Sequence, residues 1–140
     1  MRIATWNVNS AKQRMPRLLA WLDQRQPDVV CLQETKLADD AFAALLGEEL
    51  ANRGYAVAAH GEAQWNGVAI LSRAGLDDVA TGLGEGMPGF PHPEARAVSA
   101  TCGGLGRRAT SHRAARMSVA PRAMSIGRET WSMAPSSALR

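Results

Sequence analysis

Cysteine is scarce in this chain of 140 residues, and its two copies form no metal or redox motif. Cys31 lies within an apolar stretch and Cys102 closes another, so the sequence contains no Cys-x-x-Cys pair and no Cys/His cluster with zinc spacing. A structural zinc site and a disulfide framework are therefore excluded. Both thiols are predicted to be buried and reduced.

Long apolar runs are missing as well. No run approaches the roughly 18 residues that a transmembrane helix needs. The first predicted strand is followed at once by Lys12 and Arg14, which is unlike the apolar core of a secretory signal. We therefore expect a cytoplasmic protein that makes no contact with a membrane.

Charge is divided unevenly along the chain. Residues 1–104 hold 9 Lys and Arg against 12 Asp and Glu, whereas residues 105–140 hold 7 Arg, no Lys and a single acid, Glu129. The formal net charge of +3 thus averages an acidic segment and a basic one. A basic chain ordinarily indicates a polyanionic partner, but here the excess comes only from the last 36 residues.

Apolar periodicity predicts an α+β chain with the element order β-α-β-α-β-β-β. The first helix is predicted from apolar residues at helical spacing, with Pro16 in its first turn: Met15, Leu18, Leu19 and Leu22. The second helix is predicted to follow Asp39-Asp40 as N-caps and to end at Gly54. Further strands are predicted at residues 55–60, 67–72 and 95–101.

Both faces of the central strands are apolar. Val29 and Cys31 alternate with Val30 and Leu32, and the same alternation recurs at residues 68–71. Strands of this kind are covered on both sides, but two helices can shield only one. We therefore expect the second covering layer to be missing from residues 1–104, and that segment to be marginally stable alone.

Polar side chains follow two of the predicted strands. Glu34 comes directly after the apolar run 29–32, and Asn7 and Asn9 close the first strand. Ligands commonly bind at the carboxyl ends of strands in α/β proteins, and Mg²⁺ prefers oxygen ligands with one or two protein carboxylates. Glu34 and Asn7 are therefore candidate metal ligands, the alternative being that Glu34 is a solvated loop residue.

The amino-acid sequences at these two strand ends are characteristic of one protein family. Trp6-Asn7-Val8-Asn9-Ser10 and Pro27-Asp28 followed by apolar residues and Gln33-Glu34-Thr35-Lys36 resemble the exonuclease III and AP endonuclease family 1 of the endonuclease/exonuclease/phosphatase superfamily. The resemblance continues to about Thr101. Lys36 favours this DNA-repair branch over DNase I-like nucleases, sphingomyelinases and inositol-phosphate phosphatases, which usually lack that lysine.

The resemblance implies a fold and a function. The fold would be the N-terminal half of a four-layered α/β/β/α sandwich (DNase I-like), followed by an irregular C-terminal tail. The function would be hydrolysis of DNA phosphodiesters with Mg²⁺ or Mn²⁺, as in exodeoxyribonuclease III and the apurinic/apyrimidinic endonucleases of base-excision DNA repair. The partner would be double-stranded DNA with abasic sites or 3′ ends, and no protein partner is implied.

Roles for single residues follow from the same resemblance. Glu34 would hold the metal and, with Asn7, form the catalytic part of the site, where Asn7 would orient the phosphate or a metal-bound water. Asn9 would contact Asn7 and hold it in place. Contacts with DNA would come from Asn9, Lys36, Lys12 and Arg14, although solvated surface positions explain the three basic residues as well.

From about Leu105 the resemblance stops. The family's Tyr-x-Pro, Gly-Asp-x-Asn and Ser-Asp-His motifs are not found, and His60, His92 and His112 stand in no such motif. We therefore predict a partial endonuclease domain at 1–104 and a basic tail at 105–140 that is disordered or translated out of frame. The chain would then be a truncated, inactive product. The alternatives are a non-catalytic DNA-binding module that uses the arginine-rich tail, or another phosphatase or hydrolase of the superfamily.

Overall fold

The fold is that of a computed structural model, which describes residues 1–82, 95–103, 115–120 and 123–126. The strands are β1 (Ile3–Asn7), β2 (Val29–Gln33), β3 (Ala56–His60), β4 (Val68–Ser72), β5 (Asp77–Thr81), β6 (Val98–Cys102), β7 (Ala115–Ala120) and β8 (Ala123–Ile126). The helices are α1 (Ala11–Arg25), α2 (Asp39–Phe42) and α3 (Glu48–Asn52), and a π-helical turn (Ala43–Gly47) joins the last two. The predicted α+β class is confirmed.

Four strands form the first sheet, in the order β1-β2-β4-β3. β1 and β2 run parallel, with Asn7 opposite Gln33. β4 runs antiparallel to both β2 and β3, with Val68 opposite Gln33. The carboxyl ends of β1 and β2 therefore meet the amino end of β4 at one edge of this sheet.

Helix α1 begins four residues before the first predicted apolar position. Ser10 caps it, because its hydroxyl accepts a hydrogen bond from the backbone N–H of Gln13 at 3.3 Å. Pro16 consequently lies inside the helix, not in its first turn as predicted. The predicted apolar face is otherwise correct, since Leu18 and Leu22 are fully packed in the core.

The second helical segment contains a π-helical turn that the sequence did not predict. Its N-cap is Ala38, and Asp39 and Asp40 occupy the first turn, so the prediction of these aspartates as N-caps is wrong. Carboxylates in a first turn still interact favourably with the positive end of the helix dipole. Gly54 follows α3 with a φ of 80°, as expected for a residue that ends a helix.

The central strands of the first sheet, β2 and β4, are buried on both faces, which agrees with the apolar residues on both of their sides. One face packs against the helices and carries Val30, Leu32, Ala69 and Leu71. The other face carries Val29, Cys31, Ala58, Val68 and Ile70, which pack against three residues of β6: Val98, Ala100 and Cys102.

A second sheet thus supplies the layer that the sequence analysis expected to be missing. Its strand order is β5-β6-β7-β8, and all its pairings are antiparallel. The prediction of an uncovered face is therefore wrong, because β6 belongs to this second sheet and lies over the first. The described layers are helices, sheet and sheet.

Two strands lie in the segment that was predicted to be irregular. β7 pairs with β6 along its length, from Val98 opposite Val119 to Cys102 opposite Ala115, and β8 pairs with β7. The prediction of an irregular tail is therefore wrong for residues 115–120 and 123–126. The domain boundary at residue 104 stays a prediction, as does the out-of-frame origin of the tail.

Both cysteines are buried and neither forms a disulfide. Burial raises the pKa of Cys31 to about 12, and burial also raises the pKa of Cys102. Both thiols are therefore protonated at neutral pH, and the predicted burial of the two cysteines is confirmed. In the part of the chain described here, no helix combines the length and apolarity needed to cross a membrane.

Candidate functional site

The candidate site lies where β1 and β2 end side by side. The parallel pairing continues one residue past β1, since the backbone N–H of Val8 donates to the carbonyl of Gln33 at 3.0 Å. The chain then turns sharply, because Glu34 and Lys36 adopt left-handed φ values of 54° and 53°. Non-glycine residues seldom adopt this conformation, and such outliers concentrate at functional sites.

Asn7 and Glu34 are in direct contact. The Asn7 amide Nδ2 donates to Glu34 Oε1 at 3.0 Å, and Asn7 Oδ1 accepts from the backbone N–H of Asn9 at 3.1 Å. Because a backbone N–H can only donate, this second bond fixes the amide orientation and leaves the NH₂ group facing the carboxylate. Asn7 therefore orients Glu34, while its own oxygen is turned toward Asn9.

Lys36 contacts both Asn9 and Glu34. Its ammonium Nζ donates to Asn9 Oδ1 at 2.7 Å and lies 3.9 Å from Glu34 Oε2. The side chains of Lys36 and Glu34 are 31% and 40% exposed. Exposed ion pairs contribute little stability, about 0–1 kcal/mol, so the chain gains little folding energy from this pair. We name Asn7, Asn9, Glu34 and Lys36 the polar cluster.

The chemistry of Glu34 fits a hard divalent cation. Oε1 accepts one hydrogen bond and Oε2 faces an ammonium that is beyond hydrogen-bond distance, so both oxygens retain lone pairs on a partly exposed side chain. Mg²⁺ is commonly held by one or two carboxylates and keeps several waters. Within residues 1–82 and 95–103, no three His, Cys, Asp or Glu side chains come close enough to hold a metal together. A single carboxylate whose two oxygens keep lone pairs is compatible with a cation of this kind.

The backbone beneath the polar cluster is tightly held. Thr35 is 2% exposed, and its N–H donates to the carbonyl of Gly67 at 3.1 Å, while its carbonyl accepts from Ala11 N at 2.9 Å. Gly67 has a φ of 88°, and a Cβ there would lie 2.2 Å from Thr35 Oγ1. Only glycine fits this approach. The sequence did not predict the role of these two residues, although Gly67 stands just before an apolar strand, where a close backbone contact is a known use of glycine.

The remaining predicted site residues are only partly brought together. Asn9 and Lys36 belong to the polar cluster, whereas Lys12 and Arg14 lie in the first turn of α1 and are not hydrogen-bonded to Asn7 or Glu34. Their contact with DNA stays a prediction.

His60, the histidine that the structure describes, does not belong to the polar cluster. His60 ends β3, and its Nδ1 lies 3.2 Å from the carbonyl of Ala97. This contact gives the side chain a structural role. His92 and His112 lie outside the described residues. This contact is consistent with the position of His60 outside the family's Ser-Asp-His motif.

Comparisons with known proteins show the family of the chain. The model of the endonuclease/exonuclease/phosphatase family matches residues 4–135. Exodeoxyribonuclease III of Haemophilus influenzae is 40% identical over 73 residues, which are 52% of this chain and 26% of that protein. The chain spans about a quarter of the length of the curated relatives that it matches.

Solved structures show the same fold. The 3′ phosphatase NExo (D146N) from Neisseria, bound to a product DNA hairpin, is 39% identical with a TM-score of 0.65, covering 75% of this chain and 38% of that one. An AP endonuclease from Archaeoglobus fulgidus is 34% identical with a TM-score of 0.63, covering 73% and 37%. The chain therefore belongs to the endonuclease/exonuclease/phosphatase family, in the branch that holds exonuclease III and the AP endonucleases.

Proposed function

We propose that this chain carries the metal-binding part of a DNA phosphodiester hydrolase of the exodeoxyribonuclease III and AP endonuclease type. The observation that carries the proposal is the contact between Asn7 and Glu34 at the ends of two parallel strands. A carboxylate held by a neighbouring amide, with oxygens still free to bind a cation, is suited to metal-assisted hydrolysis. The family membership is consistent with this chemistry.

Glu34 is the proposed ligand of Mg²⁺ or Mn²⁺. When bound, the metal would polarise a phosphate oxygen and stabilise the leaving oxygen. Asn7 holds the Glu34 carboxylate from one side, and Lys36 provides positive charge on the other. The two side chains thus keep Glu34 in one orientation, and an oriented ligand binds its metal more tightly than a mobile one.

Asn7 has two proposed roles. Its contact with Glu34 supports a positioning role. A direct bond from Asn7 Oδ1 to the metal, or to a phosphate-bound water, stays a prediction, because that oxygen is hydrogen-bonded to the backbone N–H of Asn9. Such a bond would require the Asn9 contact to open.

The proposed partner is double-stranded DNA with an abasic site or a 3′ end. Lys36 and Asn9 lie beside Glu34 and are proposed to contact the phosphate, while Lys12 and Arg14 are proposed to contact flanking phosphates. Lysine serves as a point charge in phosphate binding. One relative is a 3′ phosphatase bound to a DNA hairpin, and another is an AP endonuclease, so both kinds of substrate should be tried.

We propose further that the 140-residue chain binds metal and DNA without turnover. Hydrolysis needs a group that activates water and another that contacts the phosphate. Among the described residues, the hydrogen bonds and the ion pair of the polar cluster involve one carboxylate, that of Glu34, and no Ser-Asp-His or Gly-Asp-x-Asn motif stands in the sequence.

Two assays with one set of proteins test this proposal. The wild-type chain, Glu34→Gln and the control Glu48→Gln, an exposed glutamate in α3, are compared on an abasic-site duplex with and without Mg²⁺. We expect no Mg²⁺-dependent cleavage, and we expect Mg²⁺ to strengthen DNA binding by the wild type and Glu48→Gln but not by Glu34→Gln.

Two results would count against it. If Mg²⁺ strengthened DNA binding by Glu34→Gln as much as by the wild type, Glu34 would be excluded as the metal ligand. Mg²⁺-dependent cleavage that Glu34→Gln abolishes would instead establish an active enzyme and contradict the proposed lack of turnover.

The basic segment supports a second candidate function, that of a non-catalytic DNA-binding module. Residues 105–140 hold seven arginines against one acid. Neutralising Arg107, Arg108 and Arg113 to glutamine should then lower the slope of log affinity against log salt by about 0.9 for each phosphate that these side chains neutralise. An unchanged slope would exclude these arginines from DNA binding.

A further inference from the structure

Trp65 is the most exposed large apolar side chain among the described residues, at 69%. Trp6 and Trp21 behave differently, since their rings pack edge to face with centroids 5.7 Å apart and are partly buried. A single exposed apolar side chain is common and needs no explanation by itself. The position of Trp65 in the fold decides whether it has a role.

That position is beside the polar cluster. Trp65 lies in the loop between β3 and β4 and directly precedes Asn66, whose carbonyl accepts the backbone N–H of Lys36 at 2.9 Å. The next residue, Gly67, accepts from the N–H of Thr35 at 3.1 Å. The backbone of the Trp65 loop is therefore hydrogen-bonded to the two residues that follow Glu34.

Hydrogen bonds of neighbouring residues also hold the loop that carries Trp65. The Asn66 amide Nδ2 donates to Glu62 Oε1 at 2.5 Å, and Gly67 N donates to the carbonyl of Ala95 at 3.0 Å. Gln64 and Asn66, which flank Trp65, both have left-handed φ values, of 71° and 47°. A large aromatic side chain on a rigid support loses little conformational freedom when it binds a ligand.

We propose that Trp65 stacks on a nucleobase of DNA whose phosphate lies at the polar cluster. The indole offers a flat apolar face, and Lys36 offers a cation for the backbone, which is the combination used by surfaces that bind unpaired nucleotides. The base must have an exposed face, as at a strand end or next to an abasic site, because stacked neighbours cover the faces of bases within an intact duplex. This inference rests on the proposed function, since it assumes that the polar cluster receives a DNA phosphate.

The test uses the dependence of DNA affinity on salt. Contacts with phosphates weaken with salt in proportion to their number, whereas stacking of an indole on a base adds affinity without changing that slope. Binding of a fluorescently labelled abasic-site duplex is measured without Mg²⁺ at several salt concentrations. The proteins are the wild type, Trp65→Ala, Trp65→Phe and Val79→Ala, the last being an exposed apolar control on β5.

We expect Trp65→Ala to weaken binding by about 5- to 100-fold with an unchanged salt slope. Trp65→Phe keeps an aromatic face and should recover most of the affinity, and Val79→Ala should match the wild type. Thermal melting should be the same for all four proteins, because both altered side chains are exposed.

The possible failures are distinguishable. Wild-type affinity retained in Trp65→Ala, or weaker binding that comes with a lower salt slope, would overturn the stacking role alone. No binding of this duplex by the wild type would overturn the proposed function and the stacking role together.

Discussion

The interior of β2 and the turn that follows this strand are stabilised by different interactions. Val29, Val30, Cys31 and Leu32 are completely buried, between helices on one face and β6 on the other. Glu34 and Lys36 are partly exposed and are held by hydrogen bonds to asparagines of the neighbouring strand end. The strand interior therefore contributes to stability, and the residues at its end contribute to binding. Substitutions in the two regions should affect stability and binding separately.

The largest effect is expected from Leu32→Ala. Leu32 is 0% exposed and packs with the helices, so its truncation should lower the free energy of unfolding by about 2–5 kcal/mol. Urea unfolding measures this as a lower midpoint with an unchanged slope. A cost well under 1 kcal/mol would show that the strand interior is not packed as described.

Gly67→Ala tests the close contact between Gly67 and Thr35, which joins the start of β4 to the turn after β2. Its φ of 88° and the 2.2 Å approach of its Cβ position to Thr35 Oγ1 should together cost about 1–3 kcal/mol. We also expect weaker metal binding, because Thr35 directly follows Glu34. Gly75→Ala is the matched control, since Gly75 has a φ of 92° but no atom near its Cβ position. Equal costs for both variants would show that the approach to Thr35 is unimportant.

Cys31 tests whether the second sheet covers the other face of β2. Burial raises the pKa of this thiol from 9.0 to about 12, so between these values the folded chain holds a proton that the unfolded chain has lost. Stability must then fall as pH rises through this window, at most by about 1.4 kcal/mol per pH unit. The wild type should lose about 1–2 kcal/mol more than Cys31→Ala between pH 8.5 and pH 10.5. Parallel profiles would mean that this face is open to water.

The smallest effect on stability is expected at the strand end. Lys36→Met removes an exposed ion pair and one hydrogen bond to Asn9, so the free energy of unfolding should change by less than about 1 kcal/mol. The salt slope of DNA binding should nevertheless fall by about 0.9, the value of one neutralised phosphate. A large drop in stability with an unchanged slope would reverse the assignment of Lys36 to function.

The sequence predicted the strand interiors because burial on both faces leaves a continuous apolar run, as at residues 29–32 and 68–71. It did not predict β5, whose residues are mostly exposed and include Asp77 and Asp78. The second sheet was missed for a related reason, since β7 and β8 lie in a segment with no apolar periodicity.

The candidate site could be predicted in part. Asn7 and Glu34 were found because polar residues stand at the carboxyl ends of two predicted strands, and the structure shows that these strands pair in parallel. The contact between Lys36 and Asn9 depends on left-handed turns at Glu34, Lys36 and Asn9. Glutamate and lysine give no local signal for such turns, because tertiary contacts hold them in place.

Metal binding at Glu34 is the central claim, and a titration with Mn²⁺ followed by electron paramagnetic resonance tests it most directly. The wild type and Glu48→Gln should bind Mn²⁺ with the same affinity, and Glu34→Gln should bind at least about tenfold more weakly, with all three melting at the same temperature. Equal Mn²⁺ affinity in Glu34→Gln and the wild type would contradict the account.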